Sequence, residues 1–133
     1  MGTLIDASVL IAAERGRLDP IALQHETDDE EIAIAAITAS ELLHGVHRLA
    51  GAVARTRAER FVERILSLIP VLAFDLDVAR VHAQLDAELS AAGTAVGDAD
   101  LQIAATAVAW DYRVATRDLR SFPRIKGLDL VRW

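Results

Sequence analysis

The chain has 133 residues, 53% of them hydrophobic, and a formal charge of −6 at pH 7. Length and apolar content fit one folded domain, residues 1–133, and exclude a disordered segment, while the acidic balance disfavours gripping nucleic acid through overall charge. Cysteine is absent, which removes disulfides, thiol catalysis and thiolate zinc sites.

The opening MGTLIDASVL has no basic leader and no small-residue cleavage site, and no apolar run reaches the ~18 residues of a membrane span. A cytoplasmic protein without membrane contact is the expectation. Thr3 to Ile5 reads as a short apolar strand ending at Asp6. Ser8 to Glu14 reads as a helix stopped near Gly16, and Pro20 to His25 as a second one. The acidic run Asp28 to Glu31 is a solvated turn. EIAIAAI, from Glu31 to Ile37, is rich in β-branched and small residues and reads as a buried strand. Thr38 or Ser40 can cap the next helix, which carries Glu41, Leu42, Leu43, Val46 and Leu49 and breaks at Gly51.

Arg55 to Ile69 is amphipathic: Phe61, Ile65 and Leu68 recur at helical spacing, and Arg57, Arg60 and Arg64 share another face. Pro70 ends that helix and opens a strand from Val71 to Phe74. Val78 to Ala91 is a long helix closed by Gly93, and GDADLQIAATA at 97–107 opens a helix running to about Trp110. Arg113 to Thr116 is a strand, Arg117 to Pro123 a turn, and Leu128 to Val131 a last short strand. Strands and helices alternate, with connections too long for hairpins. The expected class is α/β: a central, mostly parallel β-sheet flanked by α-helices on both faces, an α/β/α sandwich.

In such sheets ligands bind beyond the carboxyl ends of the strands. Asp6 directly follows the first strand, Glu41 is expected in the first turn of the helix after the second, and Asp118 follows VAT. Asp98 and Asp100 open the helix leading into that strand. Each acid taken alone has an ordinary explanation as a helix cap, a first-turn acid or an Asx-turn. Five such acids at one end of one sheet share a cause more readily than they coincide. Carboxylates packed together repel, and a divalent cation removes the conflict. Oxygen ligands without cysteine suit Mg²⁺ or Mn²⁺ rather than zinc, and such ions work on phosphodiester oxygens. Ile103, Ala104, Ala107 and Val108 follow Asp100 on one helix face, so Asp100 is expected at the sheet-facing corner and Asp98 at the rim.

LIDAS at 4–8, TASELLHG at 38–45, GDADLQIAATA at 97–107 and VATRDLRSF at 114–122 resemble, in order, the four acidic motifs of PIN-domain ribonucleases. The sequence is most similar to the VapC-type toxins among them, and its ending GLDLVRW resembles theirs. The resemblance spans nearly the whole chain. It implies a single PIN-like domain in which Asp6, Glu41, Asp100 and Asp118 are the catalytic, metal-binding acids. Asp98 is an extra metal-side acid that not every relative has, and Ser8 and Thr116 match auxiliary hydroxyl positions. It implies an endoribonuclease dependent on Mg²⁺ or Mn²⁺, active as a homodimer and neutralised by a VapB-type antitoxin. Arg15, Arg17, Arg48, Arg117 and Arg120 are candidate RNA contacts, although each alone reads equally as a solvated arginine.

Other chemistries lack their residues. A haloacid-type phosphatase would carry an Asp where this chain has Ser8, and a phosphoacceptor domain needs a strand-end lysine, whereas the one lysine is Lys126. Glu41 and His44 form a single Glu-x-x-His without the second copy that a di-iron bundle needs. No nucleophile elbow or P-loop motif is present. Two alternatives stay open at this stage: a non-catalytic module whose acidic pocket holds a partner's arginine, and a metal-dependent DNA nuclease.

Overall fold

A computed structural model describes residues 2–16 and 30–133. The expected helix from Pro20 to His25, the acids Asp28 and Asp29, and Arg17 lie outside the described residues. Five strands pair in the order β3-β2-β1-β4-β5: β1 Thr3–Ile5, β2 Ile32–Ala35, β3 Val71–Leu72, β4 Arg113–Thr116 and β5 Leu130–Arg132. Every pairing is parallel. Leu4 sits beside Ala33 on one side and Val114 on the other, so the first strand lies at the centre of the sheet.

Helices cover both faces, as the alternating pattern requires. On one face lie α1 (Ala7–Glu14), α2 (Ala36–His47) and α3 (Ala52–Leu68); on the other lie α4 (Leu76–Ala91) and α5 (Asp98–Trp110). Side chains alternate across a strand, and the two cores show it directly. Leu4, Ala33, Ala35 and Val114 point to the core built with Val78, Leu85, Leu89, Leu101, Ile103 and Ala104. Ile5 and Ile34 point the other way, into Val9, Leu10, Leu42, Val46, Val62 and Ile65. Among the described residues no helix is long and apolar enough to cross a membrane.

Boundaries differ from the sequence expectation where burial outweighs local signals. The run from Glu31 to Ile37 is strand only over Ile32–Ala35, because α2 begins at Ala36. Neither Thr38 nor Ser40 caps it: the N-cap is Ala35, with no side-chain bond, and Thr38 is fully buried. Packing of the first turn against the sheet, rather than a cap, fixes this helix start. Similarly β3 closes at Leu72, and α4 starts at Leu76 because Asp75 caps it, accepting from the Val78 N–H at 3.0 Å. Within the stretch expected as a turn, Phe122–Arg124 forms a short 3₁₀ segment that drops Phe122 into the core. Helix α5 stops at Asp111, whose left-handed backbone (φ 56°) reverses the chain into β4.

Candidate active site

The carboxyl edge of the sheet is built around Asp6. Its backbone N–H donates to Ala115 O at 2.9 Å, continuing the β1–β4 ladder by one residue. Its side chain is buried and held at both oxygens. Oδ1 accepts from the Ala7 N–H at 2.8 Å, so Asp6 also caps α1. Oδ2 accepts from Ser8 Oγ at 2.8 Å and from Thr116 Oγ1 at 2.9 Å. Thr116 Oγ1 in turn accepts from the Asp118 N–H at 3.0 Å, and Ser8 Oγ from the Arg117 N–H at 3.0 Å. Two hydroxyls therefore knit the start of α1 to the end of β4 and fix the direction of one carboxylate.

Around this fixed acid stand three more. Glu41, in the second turn of α2, has its pKa raised, first by partial burial and then by the negative charges of Asp6 and Asp100. Asp100, in the first turn of α5, is raised by partial burial and by Asp6 and Asp118, with Ser121 pulling the other way. Asp118 is lowered, because the Arg120 N–H donates to its Oδ1 at 3.0 Å and the Arg120 guanidinium at 3.2 Å. Four acids that are far apart in the chain thus lie close enough to act on one another's protonation. Glu41 and Asp100 gain no cationic partner among the described residues.

Asp98 is placed differently. It accepts from Gln102 Nε2 at 2.8 Å, and its Oδ1 lies 3.4 Å from His82 Nε2. It stands largely exposed on the flank between α4 and α5, and it does not enter the mutual repulsion of the other four. Gln102 was findable from the sequence, one helical turn beyond Asp98. His82 was not, because only the packing of α4 on α5 brings it there. Of the candidate arginines, Arg117 and Arg120 adjoin the site through the bonds to Ser8 and Asp118. Arg15 and Arg48 occupy the C-cap positions of α1 and α2, away from Asp6 at the N-cap of α1 and Glu41 in the second turn of α2. The role of Arg120 as partner of Asp118 was not apparent from sequence.

The donor set is all oxygen, hard and anionic, and the raised proton affinity of Glu41 and Asp100 reflects first their partial burial and then the negative charges beside them. Among the described residues no group of three or more histidine, aspartate or glutamate side chains is arranged to hold a metal ion. Mg²⁺ keeps several waters and takes one or two carboxylates directly, and Glu41 and Asp100, which lack a cationic partner among the described residues, are the residues that would face such an ion.

A family model for the PIN domain matches residues 3–128. The chain belongs to the PIN-domain family. Within that family it is 32% identical over 131 residues to ribonuclease VapC1 of Rickettsia felis, covering 98% of this chain and 96% of that one. It is 30% identical over 130 residues to the tRNA(fMet)-specific endonuclease VapC of Salmonella typhimurium, with the same coverage. In three dimensions it superposes on the VapBC complex of S. typhimurium bound to DNA with a TM-score of 0.89 at 29% identity, over 100% of this chain and 98% of that one. It also superposes on FitAcB of Neisseria gonorrhoeae with a TM-score of 0.80 at 31% identity, over 96% and 95%. The chain is thus a VapC-type PIN domain.

Proposed function

We propose that this PIN domain is an endoribonuclease, the toxin of a toxin–antitoxin pair, and that it hydrolyses RNA phosphodiesters with Mg²⁺ or Mn²⁺. The observation that carries the reading is the gathering of Asp6, Glu41, Asp100 and Asp118 at the carboxyl edge, where Glu41 and Asp100 have no cationic partner among the described residues, on a chain similar throughout its length to named ribonucleases. A divalent ion held there supplies Lewis acidity toward a phosphate oxygen and toward water. The chain's own residues prepare that environment. Ser8, Thr116 and the Ala7 amide hold Asp6 in one orientation. Glu41, whose proton affinity is raised by partial burial and by the neighbouring acids, is placed to accept a proton. Arg120 holds Asp118 ionised and fixes it against its own loop. Asp98 acts from the rim, through His82 and Gln102, rather than as a direct ligand.

A homodimer held by a VapB-type antitoxin in the cytoplasm belongs to the same proposal, supported by likeness to solved toxin–antitoxin complexes. The test is cleavage of RNA by the purified chain freed of antitoxin. Mn²⁺ or Mg²⁺ is expected to support cutting, EDTA to stop it, and Asp6→Asn or Asp100→Asn to abolish it, a loss of roughly a hundredfold or more. Undiminished cutting in EDTA overturns the metal mechanism. Cleavage of DNA with RNA intact, or a captured partner with no cleavage at any metal concentration, overturns the ribonuclease reading.

A further inference from the structure

Helix α3 carries a feature that the acidic site does not use. At 3.6 residues per turn, Val53, Arg57, Arg60, Arg64 and Leu68 fall on one narrow stripe along its exposed side. The core stripe of Ala58, Val62 and Ile65 faces away from it, and Glu59 and Glu63 stand on one flank, between the stripe and the core. None of the three arginines pairs with a carboxylate among the described residues. Arg55, by contrast, is spent on structure: its Nε and Nη2 donate to Leu49 O at 3.2 and 2.7 Å and brace the α2–α3 connection. Arg57 and Arg60 also line an open hollow of about 460 Å³ with Ala52, Val53 and Thr56.

Position relative to the acids decides what such a stripe is for. Helices α2 and α3 form an antiparallel hairpin across a four-residue connection, with Leu42 and Val46 packed against Ala58 and Val62. Helix α3 packs beside α2, the helix that bears Glu41, so the stripe runs along a neighbour of the acidic site. A chain of net charge −6, with acids gathered at its site, repels a polyanion unless a local positive track receives it. Three arginines rising along a helix by about 4.5 and 6 Å form such a track, and a regular line of charge suits a regular line of phosphates better than a folded acidic surface.

We infer that Arg57, Arg60 and Arg64 hold the phosphate backbone of the RNA alongside the acidic site, a positioning role that rests on the ribonuclease reading. The experiment measures binding of a labelled single-stranded oligoribonucleotide of mixed sequence in EDTA, across a salt series, for the whole protein. Arg57→Gln, Arg60→Gln and Arg64→Gln together are expected to weaken binding at least about tenfold and to lower the log–log salt slope by about 2. Replacement of all three by lysine keeps most of the slope, and Glu59→Gln with Glu63→Gln on the flank leaves it unchanged. In metal-supported cleavage the glutamine variant raises KM while kcat stays within about twofold. An unaltered slope and KM overturn the inference, including the case in which the variant loses an acidic protein partner while RNA binding persists. If the unaltered protein binds RNA with this slope yet never cuts it, the ribonuclease reading fails while the track stands.

Discussion

Thr116 shows how much of this site depends on one hydroxyl. It is fully buried, donates to Asp6 Oδ2 and accepts from the Asp118 N–H. Thr116→Val keeps the shape and removes both bonds, leaving a buried amide without its partner. We expect a stability loss of about 1–3 kcal/mol by urea denaturation and a fall in RNA cleavage of roughly 10–100-fold, with Thr116→Ser close to the unaltered protein. Glu41 and Asp100 carry the opposite signature. Their folded pKa values are raised, so the folded state binds their protons more tightly than the unfolded chain does. The resulting destabilisation is fully present above the folded pKa and disappears as pH falls below the unfolded one. Glu41→Gln is therefore expected to raise Tm by a few degrees at neutral pH, to lose that gain near pH 4, and to remain inactive. Differential scanning fluorimetry across pH reads this directly. Mn²⁺ should raise Tm for the unaltered protein more than for the variant. Glu30 behaves in the reverse sense: Arg113 lowers its pKa, so its contribution is present at neutral pH and is lost as pH falls through that depressed value.

At the scale of elements, α5 delivers Asp100, and its sequence explains how. Ala104, Ala105 and Ala107 are fully buried, and small side chains let the helix lie close to the sheet. Ala104→Leu overfills that contact. A cost of about 1–3 kcal/mol in chemical denaturation is expected, with a partial loss of cleavage because Asp100 lies one turn away. A merely destabilised variant would recover full kcat at low temperature; a displaced Asp100 would not. The elements themselves were legible wherever pattern and burial agree. The stripe of α3, the alanines of α5 and the apolar run of β4 announce their classes. Their starts were less legible. Nothing local marks Ala36 as the first residue of α2, since its N-cap supplies no side-chain bond and the sheet fixes its start. Asp75 was a cap hidden in plain sequence, passed over because Val78 offered the first clear apolar repeat.

The whole molecule reads as a parallel α/β sandwich because five short apolar runs alternate with helices. The strand order was not readable in that way: β1 meets β4 through contacts between Leu4 and Val114, and no local pattern encodes so distant a pairing. Most of the candidate acids were legible for the same reason as the fold, since Asp6 and Asp118 follow strands and Asp98 and Asp100 open a helix, whereas Glu41 lies in the second turn of α2. Which acids gather was settled by side-chain bonds. Thr116 and Ser8 draw Asp6 inward, whereas Gln102 and His82 occupy Asp98 at the rim.

The central place of β1 has a consequence for biosynthesis. Strand β1 cannot be sandwiched until Arg113–Thr116, more than a hundred residues later in the chain, has left the ribosome, since that stretch is its neighbour on one side. The hydroxyl that steadies Asp6 belongs to the same late-emerging stretch. A polypeptide whose synthesis has not yet passed Thr116 therefore lacks the strand and the hydroxyl that complete this edge.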